Sequence, residues 1–181
     1  MAVKLCPIAL TGKARAGKDT VANYLVARYG YYRAAFADDM KAFAREIFPW
    51  RFAHGRKDRE FLQSFGQKLR EIDPVVWIRR LFIGLDPLMD HGVVPVITDL
   101  RMPNEYEACR KRGFVIILVD ADADVRRKRM IECGDVFRDE HLEHETEKFI
   151  ERFDVDFVVE NNGDIESLWM QVDEIVKKIT N

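Results

Sequence analysis

The sequence predicts an α/β fold in which a five-stranded parallel sheet is flanked by helices on both faces. Three observations lead there. Short apolar runs alternate with longer amphipathic segments over the whole 181 residues. The first of those runs leads directly into a loop of the form GxxxxGK, and no repeat, low-complexity tract or Gly/Ser/Pro-rich linker interrupts the alternation. The length suits one domain able to bury its own core.

The strand candidates are Val3 to Leu10, Tyr31 to Phe36, Val93 to Thr98, Phe114 to Val119 and Val155 to Val159. They are short and rich in β-branched or aromatic residues, as expected of strands covered on both faces. Between them, Val21, Tyr24, Leu25 and Tyr29 recur at helical spacing, and so do Phe61, Phe65, Leu69 and Ile72. Asp73 followed by Pro74 predicts an N-cap with proline at the first helical position, opening a helix through Trp77, Leu81 and Leu85 that Pro87 stops. Pro103 starts a helix through Tyr106 to Arg112, ended by Gly113. Ile165, Leu168, Trp169, Val172, Ile175, Val176 and Ile179 form the clearest apolar stripe, and Asp164 is its predicted cap. In such a sheet, ligands sit at the carboxyl ends of the strands.

Composition narrows the partners. With 29 Lys plus Arg against 31 Asp plus Glu, the formal net charge of -2 provides no global basic field for nucleic acid. Cys6, Cys109 and Cys133 lack pairing or metal-ligand spacing and are read as free thiols in a reducing cytosol. The opening MAVKLCPIALTG lacks the charged region and cleavage site of a signal peptide, and no run approaches the roughly 20 apolar residues that span a bilayer. The expectation is a soluble cytoplasmic protein with neither nucleic acid nor membrane as partner.

Gly12, Gly17 and Lys18 satisfy GxxxxGK between an apolar strand and a helix, the context a phosphate loop needs. Glycines let the backbone turn amides toward a phosphate, the helix N-terminus adds its positive end, and a lysine reaches the β and γ oxygens. Gly12, Lys13, Ala14, Arg15, Ala16, Gly17, Lys18, Asp19 and Thr20 are therefore the candidate ATP-binding residues. Asp19 stands where Ser or Thr usually serves as magnesium ligand, and Thr20 follows. Either Asp19 holds the ion, directly or through water, or Thr20 supplies the oxygen, or Asp19 caps the helix.

The run GKARAGKDTVANYL (Gly12 to Leu25) resembles that of the deoxynucleoside monophosphate kinases of bacteriophages and their bacterial relatives. Four further segments agree, in the family's order. FADDMK (Phe36 to Lys41) is similar to its FADPLK, with Asp39 in place of proline. LQSFGQKLREIDPVVWIRRL (Leu62 to Leu81) is similar to its LQ…G…R…W block, and VVPVITDLRMPNEYEACRKRG (Val93 to Gly113) to its strand ending in D-x-R. HETE (His144 to Glu147) is similar to its H-x-[ST]-E. The resemblance implies an adenylate-kinase-like fold with a small lid, ATP and Mg2+ as cofactors, and a small-molecule nucleotide as acceptor; it allows a homodimer. It also implies a helical acceptor-binding region at about 38–90 and a lid at about 122–147.

Two anionic phosphates held close together need cations on the acceptor side too. By family position Arg70 reaches the acceptor phosphate, and an exposed helical arginine is the competing reading. Lys41 is a second cation candidate. Asp99 follows the run VVPVIT at a strand's carboxyl end, as a Walker B-type carboxylate does, and is assigned to magnesium or acceptor positioning. Arg101 is assigned to the acceptor phosphate, with a local Asp/Arg ion pair as the alternative. Asp38 is read as ending a strand and bonding the acceptor sugar, or as a solvated turn carboxylate. Trp77 either stacks on the acceptor base or packs in the core.

Arg126, Arg127 and Arg129 occupy the region where related kinases carry a mobile lid; Arg127 is the catalytic candidate and Arg126 an ATP contact, against a solvated helix face. His141 and His144 with Glu145 and Glu147 lack a third ligand at suitable spacing for zinc, and a turn or substrate-side contact is preferred. Asn161, Asn162 and Gly163 form a tight loop that, in related kinases, passes the adenine. Asn162 and Gly163 are its ATP candidates. Backbone contacts suffice there, so side-chain identity is expected to carry little.

Overall fold

The computed structural model describes residues 5–55, 58–133 and 149–180. The chain divides into two units, one made of Met1–Arg33 with Val93–Asn181 and the other of Ala34–Gly92. The expected helical region at about 38–90 falls within the second.

The first unit is built on the sheet. Its strands are β1 (Ile8–Thr11), β2 (Tyr32–Ala34), β3 (Pro95–Leu100), β4 (Val115–Asp120) and β5 (Phe157–Glu160), in the order β2-β3-β1-β4-β5. β1 runs parallel to β3 and β4, and β4 parallel to β5. This is the predicted five-stranded parallel α/β sheet. All four residues of the central β1 are fully buried, as a strand covered on both faces requires. β1 is shorter than the apolar run that predicts it. Pro7, which has no N–H for a ladder, precedes it and offers only its carbonyl, to Val115 N at 2.8 Å.

Helices α1 (Lys18–Tyr29), α5 (Pro103–Lys111), α6 (Ala123–Glu132) and α7 (Ile165–Ile179) belong to this unit. Leu25 and Val21 of α1 join Ile8, Leu10, Val96, Ile117 and Val159 of the strands and Leu168, Val172 and Val176 of α7 in one core. α1 and α7 are also joined at their rims. Tyr24 stacks on Trp169 with centroids 4.1 Å apart, and the hydroxyls of Tyr24 and Tyr29 donate to Asp173 Oδ1 at 2.8 and 2.7 Å. Asp164 caps α7 as predicted, accepting from Ser167 N at 2.7 Å.

The second unit is helical: α2 (Phe36–Ile47), a 3-10 segment (Pro49–Gly55), α3 (Arg59–Ile72) and α4 (Val76–Asp90). Half-buried aromatic rings cluster edge-on, Phe48 lying 5.0 Å from Phe61 and 6.1 Å from Phe65. Trp77 is 3% exposed and donates its indole N–H to Gly66 O at 3.2 Å. A Cβ at Gly66 would come within 2.6 Å of Met40 Sδ on α2, so the flexible thioether would have to shift to admit one.

Three predicted boundaries move. Phe36 opens α2 rather than ending a strand: Phe36, Met40 and Ala44 are buried at intervals of four, a helical stripe, and Asp38 and Asp39 sit in the first turn, where the dipole favours them. Asp73 does not cap α4. It ends α3, donating its N–H to Leu69 O at 2.9 Å, and its carboxylate accepts from Val75 N at 3.1 Å, so α4 begins two residues beyond Pro74. Pro87 lies inside α4 instead of stopping it. The carbonyl that loses its partner, on Ile83, belongs to a residue 67% exposed on that helix, where water can replace the missing N–H. Among the described residues no helix is long and apolar enough to cross a membrane.

Candidate functional site: the phosphate loop and its surroundings

β1 delivers the chain to the loop, and the loop's shape follows from its glycines. Gly12 has φ 142° and Gly17 φ 107°, backbone regions that L side chains rarely adopt. At Gly12 a Cβ would stand 2.2 Å from Val119 O, so the turn closes against β4 only because the side chain is hydrogen. α1 then begins at Lys18, aiming its first amides at the loop. Lys18 is 8% exposed, and its ammonium donates to Gly12 O at 2.7 Å and Lys13 O at 3.0 Å. This is a preformed concavity of backbone amides with one buried cation, the donor set a polyphosphate needs.

Asp19 is exposed in the first turn of α1, and Gly17, not Asp19, is the N-cap residue. Of the three readings of Asp19, the cap is therefore removed. Thr20 beside it is half-buried. Lys13 pairs with Glu151 at 2.7 Å, and the ammonium holds that carboxyl below its ordinary range.

The carboxyl end of β3 reaches the same level. Thr11 stands opposite Leu100 in the ladder and donates its hydroxyl to Leu100 O at 2.9 Å, so Asp99 to Arg101 flank the start of the loop. Asp99 and Arg101 are both half-buried. Glu105, 4% exposed on α5, fixes the turn that carries Arg101: its Oε2 accepts from Arg101 N and Met102 N, both at 3.0 Å. Glu105 belongs to the Asn104-Glu105 pair that follows D-x-R in the family resemblance, which assigns it no role; a glutamate at the third position of a helix opened by Pro103 is the signature of such a brace.

The three arginines of α6 separate sharply. Arg127 is solvent-exposed. Arg126 is 8% exposed and donates Nε–H to Ala121 O at 3.1 Å, while its Nη1 is buried without a hydrogen-bond partner among the described residues. Arg129 turns to the phosphate loop, Nη1 donating to Arg15 O at 3.3 Å and Ala16 O at 3.4 Å. Arg127, the catalytic candidate, is thus the one of the three that the helix turns outward. The loop after β5 departs from expectation as well. Asn161 is 7% exposed and its side-chain amide donates to Ala16 O at 2.7 Å, whereas Asn162 is exposed and accepts from Asp122 N at 2.7 Å. Side-chain identity does matter here, at Asn161. Gly163 has open space around it.

The remaining candidates lie in the helical unit. Asp38 is exposed in the first turn of α2 rather than at a strand end, and Lys41 is half-buried one turn further along. Arg70 is half-buried on α3, its Nη1 3.7 Å from where a Gly66 Cβ would be. Trp77 has the environment of a core residue. His141, His144, Glu145 and Glu147, and with them most of the expected lid at about 122–147, lie outside the described residues.

Among the described residues no three His, Cys, Asp or Glu gather as a metal cluster. That still fits magnesium, which dehydrates reluctantly and is bound through one or two protein oxygens with phosphate and water supplying the rest. Asp19 or Thr20 with Asp99 would provide that complement.

Comparison with known proteins agrees with this geometry. The crystal structure of TT1252 from Thermus thermophilus is 27% identical, with a TM-score of 0.60 over 97% of this chain and 100% of that one. Dephospho-CoA kinase from Campylobacter jejuni, 12% identical, superposes with a TM-score of 0.59 over 96% of each chain. Among curated proteins, "Uncharacterized protein ORF77" of Ictalurid herpesvirus 1 (strain Auburn) is 29% identical over 113 residues, 62% of this chain. The chain spans about half the length of that relative, the match covering 49% of it. A family model described as an AAA domain matches residues 8–148, from the start of β1 through α6. The chain therefore belongs to the AAA domain family, and its fold is of the P-loop kinase type.

Proposed function

We propose that the protein is an ATP- and magnesium-dependent kinase that transfers the γ-phosphoryl group of ATP to the phosphate of a deoxynucleoside monophosphate. The observation that carries the reading is the phosphate loop, with Gly12 and Gly17 at positive φ and the ammonium of Lys18 buried against Gly12 O and Lys13 O. The acceptor rests on the resemblance of the segments around Asp38, Arg70 and Asp99 to those of the deoxynucleoside monophosphate kinases.

Phosphoryl transfer asks for alignment and charge neutralisation rather than a covalent nucleophile. The loop amides and Lys18 hold the β and γ phosphates. Arg126, whose Nη1 lacks a partner among the described residues, is the α6 arginine assigned to ATP. Arg101, on a turn braced by Glu105, is assigned to the acceptor phosphate. Asp99 orients the acceptor or would serve as a magnesium ligand. Asp19 or Thr20 with Asp99 would hold a magnesium ion, which would supply the remaining charge neutralisation when bound.

The test is coupled ADP release over a panel of deoxynucleoside and nucleoside monophosphates, with dephospho-CoA as an acceptor of another type. Acceptor-dependent turnover yielding a deoxynucleoside diphosphate is the expected result. Turnover with dephospho-CoA alone would reassign the acceptor, and ADP release independent of any acceptor would sink the kinase reading.

A further inference from the structure

Three segments distant in sequence meet on the carbonyl side of the phosphate loop. Arg129 of α6 uses one guanidinium nitrogen on Arg15 O and Ala16 O, at 3.3 and 3.4 Å, and the other on Asn161 O at 2.9 Å and Asn161 Oδ1 at 3.2 Å. Asn161 completes the circuit by donating its side-chain N–H to Ala16 O at 2.7 Å. Its own backbone N–H is fixed to Asp120 O, at the end of β4, at 2.8 Å. Asn161 is 7% exposed, and its bond to Ala16 O is buried.

The loop backbone at this point is strained. Arg15 has φ 61°, a left-handed conformation on a residue with a Cβ. Such conformations persist only where the surroundings over-determine them. Two donors converging on Ala16 O, one of which also bonds Arg15 O, provide that determination. A peptide plane carries its C=O and N–H on opposite sides, and no peptide bond here is cis. With Ala16 O drawn toward Arg129 and Asn161, the N–H of Gly17 must therefore point the other way, into the concavity. Gly17 is bound to the same device, because a Cβ there would stand 2.1 Å from Asn161 Nδ2.

We infer that Arg129 and Asn161 are positioning residues that hold the Arg15–Gly17 backbone in its phosphate-receiving orientation, acting through the loop. This rests on the reading that the loop binds ATP, and it assigns to two side chains a role separate from any contact with the nucleoside. Without them Arg15 relaxes toward negative φ, the peptide plane between Ala16 and Gly17 rotates, and an amide aimed at phosphate is lost.

Inorganic tripolyphosphate is the discriminating probe, because it has no base or sugar. Its affinity and that of ATP are measured by competition against a fluorescent ADP derivative on the full chain, with thermal melts alongside. Asn161→Ala leaves Ala16 O short of a buried partner and should weaken both ligands about tenfold. Arg129→Lys keeps the charge but cannot span the carbonyls, so it should weaken both several-fold. The double variant should lose less than the product of the single losses, because the two side chains share Ala16 O. Equal weakening of tripolyphosphate and ATP in melts that remain cooperative is the expected pattern.

Loss confined to ATP would overturn the inference, because the residues would then be contacting the nucleoside. A fall in melting temperature with tripolyphosphate affinity unchanged would overturn it too, leaving a structural role only. Should Asn161→Ala fail to fold, Asn161→Ser and Arg129→Lys carry the same test. If wild-type protein binds neither ligand, the proposed function fails with the inference; if wild type binds and the variants match it, only the inference fails.

Discussion

The surroundings of the phosphate loop and the helical unit Ala34–Gly92 are held together in opposite ways. Around the loop, polar bonds to backbone carbonyls set the geometry: Lys18 on Gly12 O and Lys13 O, Thr11 on Leu100 O, Asn161 and Arg129 on Ala16 O. In the helical unit Phe36, Met40, Ala44, Trp77, Phe82 and Leu85 are buried, half-buried Phe48, Phe61 and Phe65 pack edge-on or tilted beside them, and the charged pairs Arg80–Asp39, Arg79–Asp73 and Arg51–Asp58 lie at its partly exposed margin. A directional bond fixes an atom's position, whereas ring packing mainly contributes free energy of burial. The loop region should therefore lose function before stability when altered, and the helical unit should lose stability first.

Lys18→Ala offers the largest effect and the most direct challenge. Removing the one buried ammonium of the loop should lower turnover about 10³-fold, the scale expected when a preorganised donor to a developing charge is deleted. Steady-state rates with the best acceptor of the panel provide the check. A variant with more than a tenth of wild-type turnover would show that the loop's polar bonds do not govern its chemistry.

Trp77→Ala probes the other side. Emptying a site that is 3% exposed and abandoning the bond to Gly66 O should cost about 4 kcal/mol, hence roughly 10 °C in melting temperature for a chain of this size. ATP affinity well below the melting point should stay within about threefold of wild type. A parallel collapse of ATP affinity would erase the distinction between the two regions.

How much of each region could be read in advance follows the same division. GxxxxGK was legible because its glycines answer to local sterics: positive φ at Gly12 and Gly17, and no room for a Cβ against Val119 O. The alternation of strand and helix was legible because burial on both sheet faces leaves continuous apolar runs. Asn161 and Arg129 were not, because their bonds to Ala16 span 145 and 113 residues and neither NNG nor RRKR has a pattern that announces such a contact. Helical period held a partial clue. Arg126 and Met130 are both buried on α6, and Arg127 is turned about 100° from Arg126, toward solvent. α2 was missed although Phe36, Met40 and Ala44 mark its buried stripe, because β-prone Tyr31 to Phe36 reads as one strand until tertiary packing divides it.

Asp173→Asn gives a smaller effect with a pH signature. Burial, followed by the hydrogen bond to Asp173, pushes the phenol of Tyr29 up to about 12, and Tyr24 shifts in the same direction for the same reasons. The folded chain then holds these protons more tightly than the unfolded chain, whose tyrosines ionise near pH 10. That contribution is complete below pH 10 and is lost as pH rises from about 10 to about 12. Asp173→Asn should cost about 1 kcal/mol at pH 7 and flatten the alkaline fall, as followed by urea midpoints between pH 7 and pH 11.5. Wild-type and variant curves that stay parallel above pH 10 would remove Asp173 as the cause.

The smallest effect is the one that best sharpens the contrast. Arg80 donates Nε–H to Asp39 Oδ2 at 3.0 Å and lies over Phe43 with its guanidinium carbon 5.0 Å from the ring centroid; both members of the ion pair are more than two-fifths exposed. Asp39 stands where the family's FADPLK segment has proline, so it is also the point at which this chain departs from that segment. If the pair is marginal surface electrostatics, Asp39→Asn should cost no more than about 0.5 kcal/mol, and the loss should fade in 0.5 M salt. Phe43→Ala in the same background should cost more, since it removes apolar contact that salt does not screen. Asp39→Asn should also leave the acceptor's KM within about twofold. A rise in KM well beyond that, with melting temperature unchanged, would make Asp39 an acceptor contact and show that polar positioning operates in the helical unit too.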